Sequence, residues 1–145
     1  MKIKVFYQDK YRFNFEENLA NIYKKRIIEI PKKIISDFSC KKISSKQLIQ
    51  IVQEEKKHSL IVLLDENGKS FSSIDFNETI MSNRSNSVSF FIGSTDGFCD
   101  EILSYSHMML SLSKMTLTHS FALIILLEQI YRSATIKLNH PYHRK

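Results

Sequence analysis

Cationic and aromatic side chains gather at the carboxyl end of this sequence. Guanidinium groups bind phosphates, and aromatic rings stack on nucleobases. The residues there that offer such groups are Arg132, Tyr142, His143 and Arg144. Glu128 precedes Arg132 by four residues, so an ion pair on one helix face is the default interpretation of that pair. The ion pair alone does not explain why so many cations and rings meet here, and we therefore expect a polyanionic partner.

A second group of candidate residues lies between two glycines. The segment 93–97 reads Gly-Ser-Thr-Asp-Gly, and glycine lets the backbone approach a ligand closely because it has no Cβ. The segment matches neither GxGxxG nor a phosphate-binding loop with its lysine, so a standard dinucleotide site is not expected. From these residues alone, a ligand loop and a plain turn both remain open.

Metal binding and serine hydrolysis are disfavoured by the sequence around the relevant residues. His140 and His143 are three positions apart, but no carboxylate or cysteine lies near them in sequence, so a solvated basic tail is favoured over a metal site. Ser111 and Ser113 lie in no G-x-S-x-G segment, which argues against a hydrolase. We expect no bound metal.

The hydrophobic pattern predicts a scaffold of alternating strands and helices. Apolar or alternating runs predict strands at 3–7, 27–30, 60–64, 88–92 and 108–112. Helical spacing predicts helices at 15–26, 46–57, 73–83, 100–107 and 119–134. The expected helix caps are Ser44 or Ser45, Ser72 or Ser73, and Thr118. Asn67-Gly68 predicts a turn. The alternation indicates an α/β domain with a largely parallel sheet.

A parallel sheet would bring the candidate residues together at one edge. Ligands bind beyond the carboxyl ends of parallel strands. Predicted strands end in small or polar residues at Leu64-Asp65, at 93–97 and at 111–118. We therefore expect a binding site where these three segments meet.

Composition sets the class of protein. A chain of 145 residues that is 43% hydrophobic suits a single domain, residues 1–145. Its net charge of +6 modestly favours a polyanionic partner. Cys40 and Cys99 form no CxxC motif and indicate reduced thiols. Residues 121–127 are too short an apolar run to span a membrane, and no signal-peptide pattern opens the chain. We expect a cytoplasmic protein with no membrane partner.

The order of these segments resembles the RlmH family of SPOUT methyltransferases, which act on a pseudouridine of 23S rRNA. The resemblance covers the chain from about Leu60 to its end. It is carried by Leu64-Asp65 through Gly68-Lys69 with Ser72-Ser73, Phe91-Ile92-Gly93 with Asp96-Gly97, residues 110–116 followed by His119, Glu128-Gln129-Ile130-Tyr131-Arg132, and Asn139-His140-Pro141-Tyr142-His143-Arg144.

The resemblance implies a SPOUT-type α/β fold, a mostly parallel sheet flanked by helices, whose residues from about 60 to 145 form a C-terminal trefoil knot. Such knots are an exception to the rule against threaded chains. It also implies a homodimer, S-adenosylmethionine as cofactor, and methyl transfer to N3 of a pseudouridine in 23S rRNA. Because one small domain leaves no room for a separate RNA-binding module, we expect the substrate to be the assembled ribosome.

Site residues follow from the resemblance position by position. The cofactor-binding positions it implies are Leu64, Gly93, Leu112, Ser113, Lys114, Met115, Thr116 and Leu117. Arg132, Tyr142 and His143 would be catalytic and, with Arg144, would contact the RNA. In these roles Arg132 stabilises the anionic base or grips a phosphate, Tyr142 and His143 position the base, and His143 is a candidate proton acceptor.

The chain departs from the family pattern at several positions. Ser94 replaces a second glycine, Thr118 a proline, Ser120 a glutamine and Leu123 an arginine, and the N-terminal third matches poorly. A non-catalytic RNA- or ribosome-binding protein that keeps the knotted fold is the alternative, since a basic surface and an intact tail suit both functions. Cofactor binding would distinguish the two.

Overall fold

The computed structural model describes residues 1–144; residue 145, the last of the basic tail, lies outside the described residues. Within that range the chain forms five strands and five helices in alternation. Their bounds are β1 (Lys2–Tyr7), α1 (Asn14–Ile28), β2 (Asp37–Lys42), α2 (Ser45–Lys56), β3 (Leu60–Ser70), α3 (Ser73–Thr79), β4 (Ser87–Ile92), α4 (Asp100–Tyr105), β5 (Met108–Ser111) and α5 (His119–Lys137).

The strands make one sheet in the order β2-β1-β4-β3-β5, with every pairing parallel. Helices α1, α3 and α5 cover one face and α2 and α4 the other. The central strand β4 is therefore buried along its whole length. Its Val88, Phe90, Phe91 and Ile92 side chains fill both faces, as a strand covered on both sides requires, and the buried Ser89 hydroxyl donates to the Glu55 carboxylate at 2.8 Å. The predicted α/β class and parallel sheet are confirmed.

Three helices begin where capping side chains predict. The Ser44 hydroxyl accepts the Gln47 N–H at 3.2 Å, and the Ser72 hydroxyl accepts the Asp75 N–H at 3.1 Å. Thr118 accepts the Phe121 N–H at 3.3 Å and opens α5. Each bond satisfies a backbone donor that the helix itself cannot satisfy, so the capping residues fix the start of each helix.

The predicted strand at 27–30 is wrong. Helix α1 continues through Ile27, which is 1% exposed and lies seven residues after the buried Ala20, on the same face of the helix. The second strand is instead β2, which pairs with β1 at an edge of the sheet. Its sequence, Asp-Phe-Ser-Cys-Lys-Lys, carries no apolar run because an edge strand needs less burial.

Three further predictions fail in and after β3. Asn67-Gly68 is no turn, since β3 continues to Ser70 past a bulge between Leu64 and Lys69, so Leu64 does not end the strand. Gly68 is needed for a close approach, because a Cβ there would lie 2.7 Å from the Met109 carbonyl carbon on β5. The helix predicted at 73–83 stops at Thr79, after which Ile80 and Met81 turn into the core.

Candidate functional site

A cavity of about 680 Å³ opens at the carboxyl edge of the sheet. Residues from the β3 bulge and from the loops after β1, β4 and β5 line it. Strands β1 and β4 are neighbours, yet the chain leaves β1 towards β2 on one side and β4 towards β5 on the other. Such a reversal is where open α/β sheets bind their ligands.

Seven of the eight positions predicted for a cofactor line this cavity. They are Leu64, Gly93, Leu112, Ser113, Met115, Thr116 and Leu117. The eighth, Lys114, is exposed and lies outside the lining. The structure therefore brings together residues that are far apart in sequence.

The loop after β4 has the form of a tight turn and also lines the cavity. The Gly97 N–H donates to the Ser94 carbonyl at 2.9 Å, and Gly97 has φ +74°, where glycine is favoured. A Cβ on Gly93 would lie 3.2 Å from the Phe98 ring, which also lines the cavity. Gly93 thus lets the Phe98 ring pack against the cavity wall. The turn is therefore present, and the role as a ligand loop stays a prediction for a segment that lines the cavity.

The loop after β5 is fixed by its hydroxyl groups. The Ser111 hydroxyl donates to the Ser113 carbonyl at 2.8 Å, and the Ser113 hydroxyl accepts the Met115 N–H at 2.9 Å. The Thr116 hydroxyl donates to the Glu66 carboxylate at 2.6 Å. This last bond joins the loop to the β3 bulge, so two walls of the cavity hold each other in place.

Sequence reasoning missed the wall formed by the loop after β1. Asp9, Lys10 and Arg12 line the cavity. The Asp9 carboxylate lies 3.2 Å from His119 Nε2 at the start of α5, and Gln8 accepts the Ser94 N–H at 3.1 Å. No motif marks these residues. Their position directly after the first predicted strand was the one available signal, because parallel strands end at the same edge.

A second cluster is built on the last turns of α5. The Glu128 carboxylate accepts Arg132 Nε at 3.0 Å and Nη2 at 2.5 Å, so the predicted ion pair is present. The same oxygen accepts the Tyr142 hydroxyl at 2.9 Å, and the Arg132 guanidinium lies 4.7 Å from the centroid of the Tyr142 ring. One carboxylate thus orients two of the predicted catalytic residues.

Ionisation in this cluster follows from its contacts. The hydrogen bonds that Arg132 donates to Glu128 raise the pKa of the guanidinium above its ordinary value. Burial, together with the neighbouring Tyr23 and the bonded Glu128, raises the pKa of the Tyr142 hydroxyl. At neutral pH the tyrosine is therefore a neutral donor and the arginine a fixed cation.

His143 joins the same cluster through Arg132. Its Nδ1 lies 3.3 Å from Arg132 Nη1. A guanidinium can only donate, so Nδ1 accepts and the ring hydrogen resides on Nε2. The structure therefore brings together the three predicted catalytic residues, and Arg144 follows them as an exposed side chain.

The cluster and the cavity are separate within one chain. Arg132, Tyr142 and His143 do not line the cavity. Ala122 of α5 does line it, and ten residues of helix place Arg132 about 15 Å further along the axis. Among residues 1–144 no group of three His, Cys, Asp or Glu side chains could hold a metal ion.

Two of the departures from the family pattern have local explanations. Thr118 caps α5 with a hydroxyl that proline would lack. Leu123 is 2% exposed and packs in the core with Ile124 and Leu126, where an arginine would have no solvent. Ser94 donates its backbone N–H to Gln8 of the loop after β1, which a glycine would do equally well, so the serine side chain has no structural explanation. None of the three removes a residue of the cavity or the cluster.

Comparisons with known proteins agree with this fold. The family described as "Predicted SPOUT methyltransferase" matches residues 1–143. A protein of Legionella pneumophila, described as a methyltransferase and solved with bound SAM, aligns with a TM-score of 0.55 at 15% identity over 92% of this chain and 66% of its own. A protein of Porphyromonas gingivalis, described as an RNA methyltransferase of the TrmH family, aligns with a TM-score of 0.51 at 13% identity over 90% of this chain and 59% of its own. At these identities the likeness concerns the fold.

No helix in the described part of the chain is long and apolar enough to cross a membrane.

Curated relatives are more similar in sequence, and each of those described next carries the name Ribosomal RNA large subunit methyltransferase H. The one from Dictyoglomus thermophilum is 36% identical over 99% of both chains. The one from Prochlorococcus marinus strain MIT 9215 is 36% identical over 86% of this chain and 82% of its own. The one from Campylobacter lari is 46% identical over 61% of this chain and 57% of its own. The chain therefore belongs to the SPOUT methyltransferases and, among them, to the family of the ribosomal RNA large subunit methyltransferases H.

Proposed function

We propose that the protein transfers a methyl group from S-adenosylmethionine to N3 of a pseudouridine in 23S rRNA. The observation that carries this proposal is the cavity at the carboxyl edge, which sits at the reversal of strand order and is lined by seven of the eight residues that the resemblance implies. The names of the relatives and the SAM bound to the Legionella protein support the same activity.

The lining of the cavity suits this cofactor. Its volume of about 680 Å³ lies within the range of small-molecule sites. Leu64, Leu112 and Leu117 offer apolar surface to the adenine, and the carboxylates at 65 and 66 favour a positively charged sulfur. The cations at 10 and 12 on the opposite loop suit the carboxylate of the methionine part. Apolar, anionic and cationic surfaces thus match the three parts of the molecule.

Bound S-adenosylmethionine supplies a methyl group on a sulfonium sulfur, which keeps the electron pair of the broken C–S bond. For the protein, the task is to align N3 of the base, remove its proton and exclude water. Arg132 offers a fixed cation to the anionic base, and the Tyr142 ring and hydroxyl orient it. His143 is the candidate proton acceptor in the cluster; its Nδ1 lone pair accepts from Arg132, so that contact must open before Nδ1 takes the proton.

A homodimer would join the two halves of the site. The cavity and the cluster lie at opposite ends of α5, so the cluster of one copy is proposed to complete the cavity of the other. An exposed apolar stripe on α1 supports a second copy: Phe15, Leu19 and Ile22 are 63%, 40% and 48% exposed at helical spacing. Such a stripe on a small domain is typical of an interface. The trefoil knot formed by residues from about 60 onward belongs to the same proposal.

The proposed substrate is the assembled ribosome in the cytoplasm. The test is methyl transfer from labelled S-adenosylmethionine to whole ribosomes, isolated large subunits and deproteinised 23S rRNA, with the methylated position mapped by mass spectrometry. We expect transfer to a pseudouridine on whole ribosomes and little to naked RNA. Equal activity on all three substrates contradicts the ribosome as substrate.

Calorimetry separates the enzyme from a non-catalytic binder. We expect saturable binding of S-adenosylmethionine in the micromolar range, roughly 8 kcal/mol of binding free energy. Leu117→Arg, which places a bulky cation in the cavity, should abolish this binding, whereas Lys114→Ala, at the exposed position beside the cavity, should not. Absence of binding by the unaltered protein would overturn the proposed activity.

A further inference from the structure

A second cavity, of about 350 Å³, lies between the edge strand β2 and helix α2. Helix α2 packs against β3 and α4, which leaves a gap above β2. Phe38 and Cys40 of β2 pack with the core on the α1 side, whereas Lys41 is paired in register with Phe6, which packs on the α2 side. Lys41 therefore points into the gap. We call this cavity the edge groove; its lining includes Phe6, Lys41, Lys42, Ile43, Gln47 and Ile51.

The edge groove is on the opposite face of the sheet from the surface proposed for the homodimer. The exposed apolar stripe lies on α1, and the carboxyl-terminal cluster lies on α5. Both helices pack on one face of the sheet, while α2 packs on the other. A second copy that covers α1 would therefore leave the edge groove open to a further partner.

The cations of the edge groove exceed its available anions. Its two carboxylates are already paired, since Glu55 accepts Lys4 Nζ at 2.7 Å and Glu54 accepts Lys57 Nζ at 2.7 Å. Lys41 and Lys42 are both exposed, and among residues 1–144 no ion pair includes either of them. The groove therefore presents uncompensated positive charge, which favours an anionic ligand.

Gln47 adds a neutral donor to the two lysines. Its side-chain oxygen accepts the Ser44 N–H at 3.0 Å and so belongs to the cap of α2. Its side-chain NH₂ group makes no hydrogen bond within residues 1–144. One amide donor beside two ammonium groups is a set that suits the oxygens of a phosphate.

The edge groove is next to the cavity proposed for S-adenosylmethionine. The Gln8 side chain donates to the Ser45 hydroxyl at the start of α2 at 3.1 Å, and it accepts the N–H of Ser94, which lines that cavity, at 3.1 Å. One side chain thus joins the walls of both sites. A polymer with one nucleotide at the cavity could place a neighbouring nucleotide in the groove, whereas a separate small anion would gain nothing from this arrangement.

We propose that the edge groove binds the sugar–phosphate backbone of the RNA strand beside the target nucleotide, with Lys41, Lys42 and Gln47 as the donors to phosphate. This inference rests on the proposed function, because it starts from an RNA substrate at the cavity. It adds an RNA contact in the N-terminal third of the chain, outside the segments that carry the family resemblance.

The first test compares Lys41→Ala, Lys41→Arg and the control Lys33→Ala in equilibrium binding to ribosomes at several salt concentrations. Each phosphate contact to a single strand contributes about 0.7 to the slope of log K against log salt. Lys41→Ala should lower affinity about fivefold and reduce the slope by about 0.7. Lys41→Arg should keep the slope. Lys33 is exposed beyond the amino end of β2, so Lys33→Ala should change neither quantity.

The second test uses Gln47→Glu, which removes the amide donor and places a negative charge in the groove. Glutamate keeps the acceptor oxygen of the capping box, so the melting temperature should not fall. Affinity for ribosomes should fall several-fold. Gln50→Glu makes the same charge change at an exposed position of α2 that does not line the groove, and it should have a clearly smaller effect.

Calorimetry with S-adenosylmethionine and the melting temperature check that each variant folds. Equal affinities and slopes for Lys41→Ala and Lys33→Ala would overturn the phosphate contact. So would a loss of affinity with an unchanged slope, which would indicate a neutral contact such as one to a ribosomal protein. The binding measurement needs no turnover, so the inference can fail while methylation is observed. Conversely, ribosome binding with a Lys41-dependent slope but no methyl transfer would refute the proposed activity and leave the RNA contact standing.

Discussion

Replacing Glu128 by glutamine tests whether one carboxylate organises the carboxyl-terminal cluster. A single oxygen of Glu128 accepts two hydrogen bonds from Arg132 and one from Tyr142. Glutamine has nearly the same shape and keeps an acceptor oxygen, but it has no charge. The substitution therefore removes the ionic part of the interaction and disturbs packing little.

The size of the effect follows from burial. Exposed ion pairs contribute about 0–1 kcal/mol, while breaking a fully buried pair costs about 3–5 kcal/mol. The side chains of Arg132 and Glu128 are 24% and 17% exposed, which is between these limits. We therefore expect the free energy of unfolding to fall by about 2 kcal/mol, or roughly 4–8 °C in melting temperature for a domain of this size.

Thermal unfolding and methyl transfer would be measured on the same preparation, with Glu54→Gln as the control. Glu54 also pairs with a neighbouring cation, Lys57, but their side chains are 62% and 68% exposed. The melting temperature of the Glu54→Gln variant should therefore equal that of the unaltered protein. Glu128→Gln should also lower kcat for methyl transfer while the affinity for S-adenosylmethionine stays the same, because the cavity lies elsewhere. An unchanged melting temperature and an unchanged kcat together would refute the organising role of Glu128.

The cavity wall and the two cysteines give further expectations. Gly93→Ala should weaken binding of S-adenosylmethionine several-fold, because the new Cβ would lie 3.2 Å from the Phe98 ring and push it towards the cavity; calorimetry measures this, and an unchanged Kd would show that the ring yields without cost. Iodoacetamide at pH 8 should alkylate the exposed Cys99 well before Cys40, since burial raises the pKa of the Cys40 thiol to about 11 and thiolates are the reactive form. Mass spectrometry of the labelled protein measures the two rates, and equal rates for both thiols would contradict this expectation.

The sequence predicts the elements whose residues are stable in only one environment, namely apolar strands that must be buried and helix starts that must be capped. β3 opens with the apolar run 60–64 and four of the six residues of β4 are apolar, a composition that suits strands covered on both faces. Helix starts are predictable because a hydroxyl or carboxylate must replace missing intrahelical partners. The edge strand β2 escapes prediction because an edge position is satisfied by many sequences, including its own polar one.

The candidate site also has a part that the sequence predicts and a part that it does not. The pattern of apolar runs alone assigns the segments after buried strands to one edge of the sheet, and seven of the eight predicted residues do meet there. Tyr23 could not be placed beside Tyr131, although their ring centroids are 6.4 Å apart, because contacts between α1 and α5 depend on how the helices pack. The bulge in β3 also had no local signal. Gly68 is required there because the backbone of Met109, on a different strand, leaves no room for a Cβ.

The separation of cavity and cluster along α5 predicts complementation between two inactive variants. Leu117→Arg should block the cavity, and Arg132→Ala should disable the cluster while sparing cofactor binding. If each site combines the cavity of one copy with the cluster of the other, a mixed dimer contains one site free of both substitutions. Random pairing makes half of the dimers mixed, so a refolded one-to-one mixture should recover about a quarter of the activity of the unaltered protein. If both halves of a site came from one chain, neither copy in a mixed dimer would have an intact site, and the mixture would be as inactive as its components.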